Sequence, residues 1–286
     1  MTQSTRGKLF PALNLLLLSL LCVPAAADQA SARAAMENTA NPLVQITSGA
    51  GDIYIELLES EAPANVENFL ALVAGEREII DRQSQQVYTP RYYDGMSFER
   101  LIPGLLIQAG SPAQNAFGEP AEQLDDEINA TALGLDRMPA VLPDGSFNPI
   151  LQISDRESLE DTVLIPLYRA MGINSVADIA ERQYEIDRRL RELTVKQVYE
   201  NLGYRYTDRH PTRPISRGSV ALANSGPNSN GPEFFIALSP AEWLDGRYTV
   251  IGRVVEGMEV ADRISQRRSV RPGGRGATVI YRIERL

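Results

Sequence analysis

Asn224 to Phe235 read NSGPNSNGPEFF. Glycine, proline, asparagine and serine favour turns, so this stretch is poor helix and poor strand until its last residues. There Phe234 and Phe235 open the apolar run FFIAL. Neighbouring side chains of a strand point to opposite faces, which directs one ring into a core and the other onto an outer surface. A stiff polar loop therefore runs straight into a two-faced aromatic pair.

The segments around it supply the rest of a sheet. DIYIELL places Ile53, Ile55 and Leu57 on one face and Tyr54 and Glu56 on the other, the alternation of a half-buried strand. GAGD just before it reads as a hairpin turn. MSFERLI and GLLIQAGS are two further strands split by Pro103-Gly104, and GSVALANS, EFFIALS, YTVIGRVVEG and ATVIYRIERL follow. In APANVENFLALVAGE, Val66, Phe69, Leu70 and Val73 fall at helical spacing, with Pro63 near the start and Gly75 past the end, the usual asymmetry of helix termini. MEVADRISQR gives a second amphipathic helix with Val260, Ala261 and Ile264 inward. Many strands with two flanking helices predict a mainly β protein, a closed antiparallel barrel.

The middle departs from that pattern. Over residues 130–213 the strand alternation lapses, and SVADIAERQYEIDRRLREL carries apolar residues at helical spacing among many charges. Ser175 and Asp178 are set to cap its start. TVKQVYENLGY adds a helix opened by a Thr194–Gln197 capping box and closed by Gly203. Residues 130–213 thus read as a helical insertion in a barrel built from 43–129 and 214–286. Residues 28–42, Ala-rich and polar, read as a flexible lead-in.

Residues 1–27 have the parts of an export signal: Arg6 and Lys8, an apolar run from Leu13 to Val23, and the small-residue site Ala25-Ala26-Ala27. The run is shorter than the roughly 20 residues a membrane span needs. The expectation is a periplasmic or secreted mature chain with no membrane insertion. The alternatives are an uncleaved anchor and a lipid-modified Cys22, against which Leu21 stands where a small residue is wanted. Cleavage after Ala27 leaves a chain without cysteine, which needs no disulfide.

Charge and composition exclude several chemistries. Removing Arg6 and Lys8 from 28 basic residues, with all 37 acidic ones kept, takes the formal charge from −9 to −11. That disfavours nucleic acid and anionic membrane surfaces. His210 is the only histidine, so a zinc site of His and Cys ligands is excluded in the mature chain. No G-x-S-x-G elbow accompanies His210, which reads as a loop histidine beside Pro211. Asp125-Asp126-Glu127 read as solvated loop acids, and RPGGRGAT as a turn.

Two long segments then belong together: YYDGMSFERLIPGLLIQAGS, Tyr92 to Ser111, and ALANSGPNSNGPEFFIALSPAEWLDGRYTVIGRVVEGMEVADRI, Ala221 to Ile264. Both resemble the cyclophilin family of peptidyl-prolyl cis-trans isomerases, and GDIYIELLESEAPANVENFLALV looks like that family's opening strand and helix. The resemblance implies catalysis of rotation about Xaa-Pro bonds in peptides and unfolded protein clients; no covalent bond breaks in that reaction, so no cofactor and no metal are expected, and the chain is expected to be a monomer. It implies Arg100 as the catalytic cation, on the SFERLI strand two residues beyond Phe98. It implies a substrate groove of Phe98, Leu105, Leu106, Gln108, Ala223, Asn224, Glu233, Phe235, Trp243, Leu244 and Tyr248. Gln108 would orient the substrate carbonyl or Arg100, Ala223 and Asn224 would hold the peptide backbone, and Phe235 and Leu244 would wall the proline pocket. Without the resemblance, Arg100 reads as an exposed strand arginine paired to Glu56 or another acid. The chain departs from the family where Leu105-Leu106 replace Phe-Met. Ala109 replaces glycine, Ser111 aspartate, Leu222 methionine and Glu233 glutamine, and Tyr248 stands where histidine is common. A non-catalytic peptide-binding module or holdase on the same barrel is the alternative function.

Overall fold

The computed structural model describes residues 27–81, 84–120, 122–267 and 277–286. The leader up to Ala26, Cys22 and most of the RPGGRGAT turn lie outside them. The lead-in forms a short helix, α1 (Gln29–Ala34), capped by the Asp28 carboxylate. Strands β1 (Leu43–Ser48) and β2 (Gly51–Leu57) make the expected hairpin. Helix α2 (Pro63–Ala74) follows and ends on left-handed Gly75. Three two-residue strands, β3 (Ile79–Ile80), β4 (Val87–Tyr88) and β7 (Glu119–Pro120), form a small sheet with no counterpart in the sequence reading. The main sheet adds β5 (Arg100–Ile102), β6 (Leu106–Ala109), β8 (Ser219–Leu222), β9 (Phe234–Ala237), β10 (Val250–Glu256) and β11 (Ile280–Arg285).

The eight strands of that sheet run antiparallel in the order β11-β1-β2-β10-β8-β9-β6-β5. The expected closed barrel is not formed. The end strands β11 and β5 share no ladder, because β5 is only three residues long and begins beyond the seam. Across the seam lies a single bridge, Ser97 to Val279. Coil residues and Ile280, the first residue of β11, carry its bonds: Phe98 N–H to Thr278 O (3.1 Å), Gly95 N–H to Ile280 O (2.9 Å) and Ile280 N–H to Met96 O (2.7 Å). The result is a strongly curled half-barrel.

Alternation sorts the strands' apolar residues into two clusters. Leu101, Ile107, Ile236 and Val220 lie side by side across β5, β6, β9 and β8 and enter the main core, with Phe234. The inner faces of α2 (Val66, Phe69, Leu72, Val73) and α8 (Met258–Ser265; Val260, Ala261, Ile264) pack into that core. Phe69, Tyr93 and Phe234 meet there with ring centroids 5.3–5.6 Å apart. The opposite row, Phe235, Ala221 and Val250, belongs to a separate outer cluster.

The lead-in is docked rather than flexible. Glu56, expected on a solvent face, is fully buried. Its carboxylate accepts from Glu37 N–H, Asn38 N–H and Asn41 Nδ2 (all 2.9 Å) and pairs with Arg253 at 3.0 Å. Burial of the charge is offset by this full set of donors, which leaves the carboxyl pKa below its ordinary value despite desolvation. Ala32, Leu43 and Tyr54 form a small core under α1.

Residues 130–213 carry their own apolar core, built on Leu135, Leu151, Val163, Leu167, Val198 and Tyr199. Its helices are α3 (Arg156–Leu159), a π turn (Glu160–Leu164), α4 (Ile165–Ala170), α5 (Val176–Glu181), α6 (Gln183–Glu192) and α7 (Val195–Leu202). The first three are continuous. The widened turn lies just before Pro166, whose ring crowds the preceding turn and which has no N–H for its bond. The capping boxes at Ser175–Asp178 and Thr194–Gln197 both form, and Gly203 closes α7. The single long helix expected from Ser175 onward is instead two, divided at Arg182, whose φ of −103° and ψ of 17° are not helical.

The polar loop is pinned from beneath. Asn230, with no exposed surface, donates from Nδ2 to Thr249 Oγ1 (3.1 Å), Asn65 Oδ1 (3.3 Å) and the Asp125 carbonyl (3.3 Å). Its backbone pairs with Leu124 in both directions. Asp126 is also buried: its carboxylate accepts from Asn228 N–H (2.8 Å), and Asn228 Oδ1 accepts from Asp126 N–H (3.2 Å). Glu127 accepts from Ala64 and Asn65 N–H, occupying free donors at the start of α2. Asp126 and Glu127 are therefore structural, not the solvated loop acids expected. Asn230→Ala takes the donor from buried Asn65 Oδ1, at about 1–3 kcal/mol for the unsatisfied group, while Thr249 Oγ1 keeps the Glu127 N–H. A Tm drop of several degrees in thermal unfolding is the expected outcome, and an unchanged Tm would remove the loop's claimed anchor.

Candidate active site

Paired residues of an antiparallel sheet share a face. Arg100 opposes Gln108, Gln108 opposes Phe235, Phe235 opposes Ala221 and Ala221 opposes Val250. One row on the outer face thus runs from a guanidinium through an amide to an apolar floor. A parallel row, Ile102, Leu106 and Ala237, lies beside it. Leu105 in the β5–β6 turn, with Ala223, Trp243, Leu244 and Tyr248, packs half-buried against that floor. Phe235 and Tyr248 meet edge-to-face, centroids 5.6 Å apart. Trp243 and Leu244 are presented by a single 3-10 turn, Glu242–Leu244.

The structure brings together Leu105, Leu106, Ala223, Phe235, Trp243, Leu244 and Tyr248, with Arg100 and Gln108 on the adjoining strands. Phe98 does not join them. It is buried in the main core at 1% exposure, because β5 begins only at Arg100 and the strand alternation does not extend back to Phe98. Arg100 is exposed, and among the described residues it makes no ion pair. Glu56, its suggested acid, is already occupied by Arg253.

The polar residues are held by backbone contacts. Asn224 Nδ2 donates to the Arg247 carbonyl (2.9 Å), and Asn224 Oδ1 accepts from Gly226 N–H (3.3 Å). Ala223 N–H donates to the Glu233 carbonyl (2.9 Å). Left-handed Gly110 lets β6 pass the loop closely, since a Cβ there would meet the Pro232 carbonyl at 2.5 Å. Tyr93 OH donates to that same carbonyl at 2.8 Å.

Residues 43–284 match the family described as "Cyclophilin type peptidyl-prolyl cis-trans isomerase/CLD". This chain belongs to the cyclophilin family. Among curated relatives, it is 28% identical over 217 residues to a Streptomyces anulatus protein named peptidyl-prolyl cis-trans isomerase B, covering 75% of this chain and 78% of that one. It is 26% identical to the Arabidopsis thaliana peptidyl-prolyl cis-trans isomerase CYP18-1, covering 81% and 87%. A solved cyclophilin-type isomerase from Cryptosporidium parvum, also solved in the presence of the dipeptide Ala-Pro, aligns at 20% identity. Its TM-scores are 0.45 and 0.43, over 86% and 84% of this chain and 98% and 96% of the solved chains.

Two acids of this cyclophilin that neighbour the row in sequence, beside Arg100 and Leu244, were not read from the sequence. Glu99, next to Arg100, has its carboxyl pushed up to about 8 by burial first and by the nearby Glu233 carboxylate second. Gln114 Nε2 donates to it at 3.2 Å. Asp245, after Leu244, is raised to about 6 by burial, although its Oδ1 accepts Ile215 N–H at 2.7 Å. No motif marks either residue; only the fold sets Glu99 near Glu233.

Both carboxyls have folded-state values above their unfolded ones, so their protonated forms favour the folded chain. That contribution is complete below the unfolded values. It is lost as pH rises through about 6 for Asp245 and about 8 for Glu99, because the unfolded chain releases those protons first. Tm is expected to fall between about pH 5 and pH 8, and Glu99→Gln to flatten the upper part of that fall. Parallel pH–Tm profiles for the two proteins would contradict this.

Proposed function

We propose that the chain is a peptidyl-prolyl cis-trans isomerase acting on Xaa-Pro bonds of peptides and unfolded proteins, with Arg100 as its catalytic cation. The observation that carries this reading is the row Arg100–Gln108–Phe235, which sets a guanidinium without an ion pair among the described residues at the edge of an apolar floor.

The chemistry asks for little else. Resonance holds the prolyl amide planar behind a barrier of about 18–20 kcal/mol. Uncatalysed exchange takes on the order of tens to hundreds of seconds. Twisting the bond ends conjugation and returns a lone pair to the prolyl nitrogen. A fixed N–H donor aimed at that nitrogen favours the twisted amide over the planar one, which is what lowers the barrier. A planar guanidinium suits this better than a mobile ammonium. Phe235, Leu106, Leu105 and Leu244 hold the proline ring, Gln108 steadies the carbonyl or Arg100, and the Ala223–Asn224 backbone receives the extended chain. The loop under that backbone is already ordered, so little conformational freedom is lost on binding.

Leu105 offers the ring no aromatic face, which favours weaker turnover on short peptides than a phenylalanine would allow. Residues 130–213 are read as an insertion bordering the groove. That reading is supported by Gly203, which closes α7 and whose Cβ, were there one, would touch the Pro227 ring of the polar loop at 3.5 Å, and by the Arg247 guanidinium, 5.9 and 6.0 Å from the Tyr199 and Tyr248 ring centroids.

Arg100→Ala is expected to lower kcat/KM on a proline tetrapeptide by about 10²–10³, the range for removing one preorganised donor. Protease-coupled or NMR exchange kinetics would measure it. If wild type and variant are equally inactive while unfolded protein still binds, the chain is a holdase.

Export is part of the same proposal, supported by the leader-like residues 1–27. Mass spectrometry of protein recovered from the exporting cell should find a chain beginning at Asp28, and an intact Met1 would refute cleavage.

A further inference from the structure

The 3-10 turn that presents Trp243 to the groove has a second side. There a cleft of about 640 Å³ opens between this turn and the helical segment. Its apolar walls are Leu133, Met138, Pro149, Ile150, Pro214 and Trp243. Its volume falls within the ordinary range for ligand sites, about 300–1,000 Å³. Two features suggest what it receives. Trp243 belongs both to this cleft and to the groove cluster, so the two sites share a wall and a chain lying in one can continue into the other. Among the described residues, the charged groups lining it are both carboxylates, exposed Glu242 and buried Asp245.

We propose that this cleft is a second recognition site for the same polypeptide whose proline occupies the groove, taking an apolar side chain adjacent to a lysine or arginine. The proposal rests on the reading of the groove as an Xaa-Pro site. The apolar side chain sits among Met138, Ile150 and Trp243, and the neighbouring cation faces Glu242. Selectivity then comes from sequence away from the proline, and short substrates do not sense it. Residues 130–213 supply Leu133, Met138, Pro149 and Ile150, which gives this segment a binding role.

The test uses the full mature chain. Labelled peptides of about 15 residues, roughly 50 Å when extended, carry one proline and a Leu-Lys pair at varied distances on either side. A matching set has alanine in place of proline. Ile150→Glu and Glu242→Lys are each expected to weaken the best long peptide about tenfold, equivalent to about 1.4 kcal/mol, while tetrapeptide turnover changes less than about twofold. The Glu242→Lys effect should reverse for a Leu-Glu peptide. Ile150 packs against the segment's core, so if circular dichroism shows that variant unfolded, exposed Glu242 carries the test alone. Equal effects on long and short peptides, or no effect on either, overturn the cleft. A concentration-dependent dimer abolished by Glu242→Lys would do so too, by showing that a second copy fills it. If the proline-free Leu-Lys peptide binds with the same sensitivity but no proline peptide is turned over, the groove reading falls and the cleft stands. Normal tetrapeptide turnover with insensitive long peptides gives the reverse.

Discussion

Strand β9 is apolar on both faces, and β6 and β8 are so except at Gln108 and Ser219, while the half-barrel has only one interior. Ile107, Val220, Phe234 and Ile236 fill the inside with α2 and α8. Leu106, Ala221, Phe235 and Ala237 are left on the outside. Burying a Leu or Phe side chain is worth about 1.5–3 kcal/mol, so Leu106 and Phe235 must be covered. The covering is close, with Leu106 6% and Phe235 2% exposed, and it comes from Leu105, Trp243, Leu244 and Tyr248, which are themselves only half-buried. The half-buried side chains around this apolar row are the walls of the peptide groove proposed above. Arg100 stands at its edge because β5 pairs in register with β6.

The opposite requirement governs the polar loop. A turn rich in Gly, Pro and Asn is free to move unless its backbone is tied down. Asn230, Asp126 and Thr249 tie it from below, with every bond made inside the protein. Burial pushes the Asp126 carboxyl up, while bonds from Asn228, Asn230 and Thr249 act to hold it down. A network of this kind stays favourable only if all its members are satisfied. Here it underlies the Ala223–Asn224 backbone next to Phe235, which the proposed groove uses as one side.

The alternating strands, both flanking helices and the Phe234/Phe235 split were legible because each rests on a local period of two or 3.6 residues. So were the caps at Ser175, Thr194 and Gly203, which depend on neighbours three or four positions away. Barrel closure was not legible. It depends on whether the two end strands are long enough to meet, and nothing local in SFERLI shows that β5 starts only at Arg100. Phe98 was misplaced for the same reason, its face having been counted along a strand that does not reach it. Glu56 and the lead-in were misread because their burial comes from a contact between residues 37–41 and β2. The helix across Pro166 was missed because proline in its interior argues against one, and only a π turn accommodates it. Among the site residues, the apolar walls were visible through family resemblance, whereas Glu99 and Asp245 owe their perturbed acidity to tertiary neighbours.

The helical segment and the groove also meet at Gly246, which lies between Trp243 and Tyr248 in sequence. Any Cβ there would collide with Leu135 and come within 3.3 Å of the Tyr199 ring. Tyr206 OH donates to the Gly246 carbonyl at 2.9 Å, and Arg247 reaches the Trp243 carbonyl at 3.0 Å. Three aromatic or apolar side chains from one body thus seat the loop that presents two groove walls from the other. The segment is tied at its base as well, by Thr207 N–H to Ile128 O and Asn129 N–H to Thr212 Oγ1 (both 2.9 Å). Packed interiors transmit displacement rather than absorb it. The position of Trp243 and Tyr248 over Phe235 is therefore set jointly by the sheet beneath them and by the helices behind them, and the width of the groove depends on both.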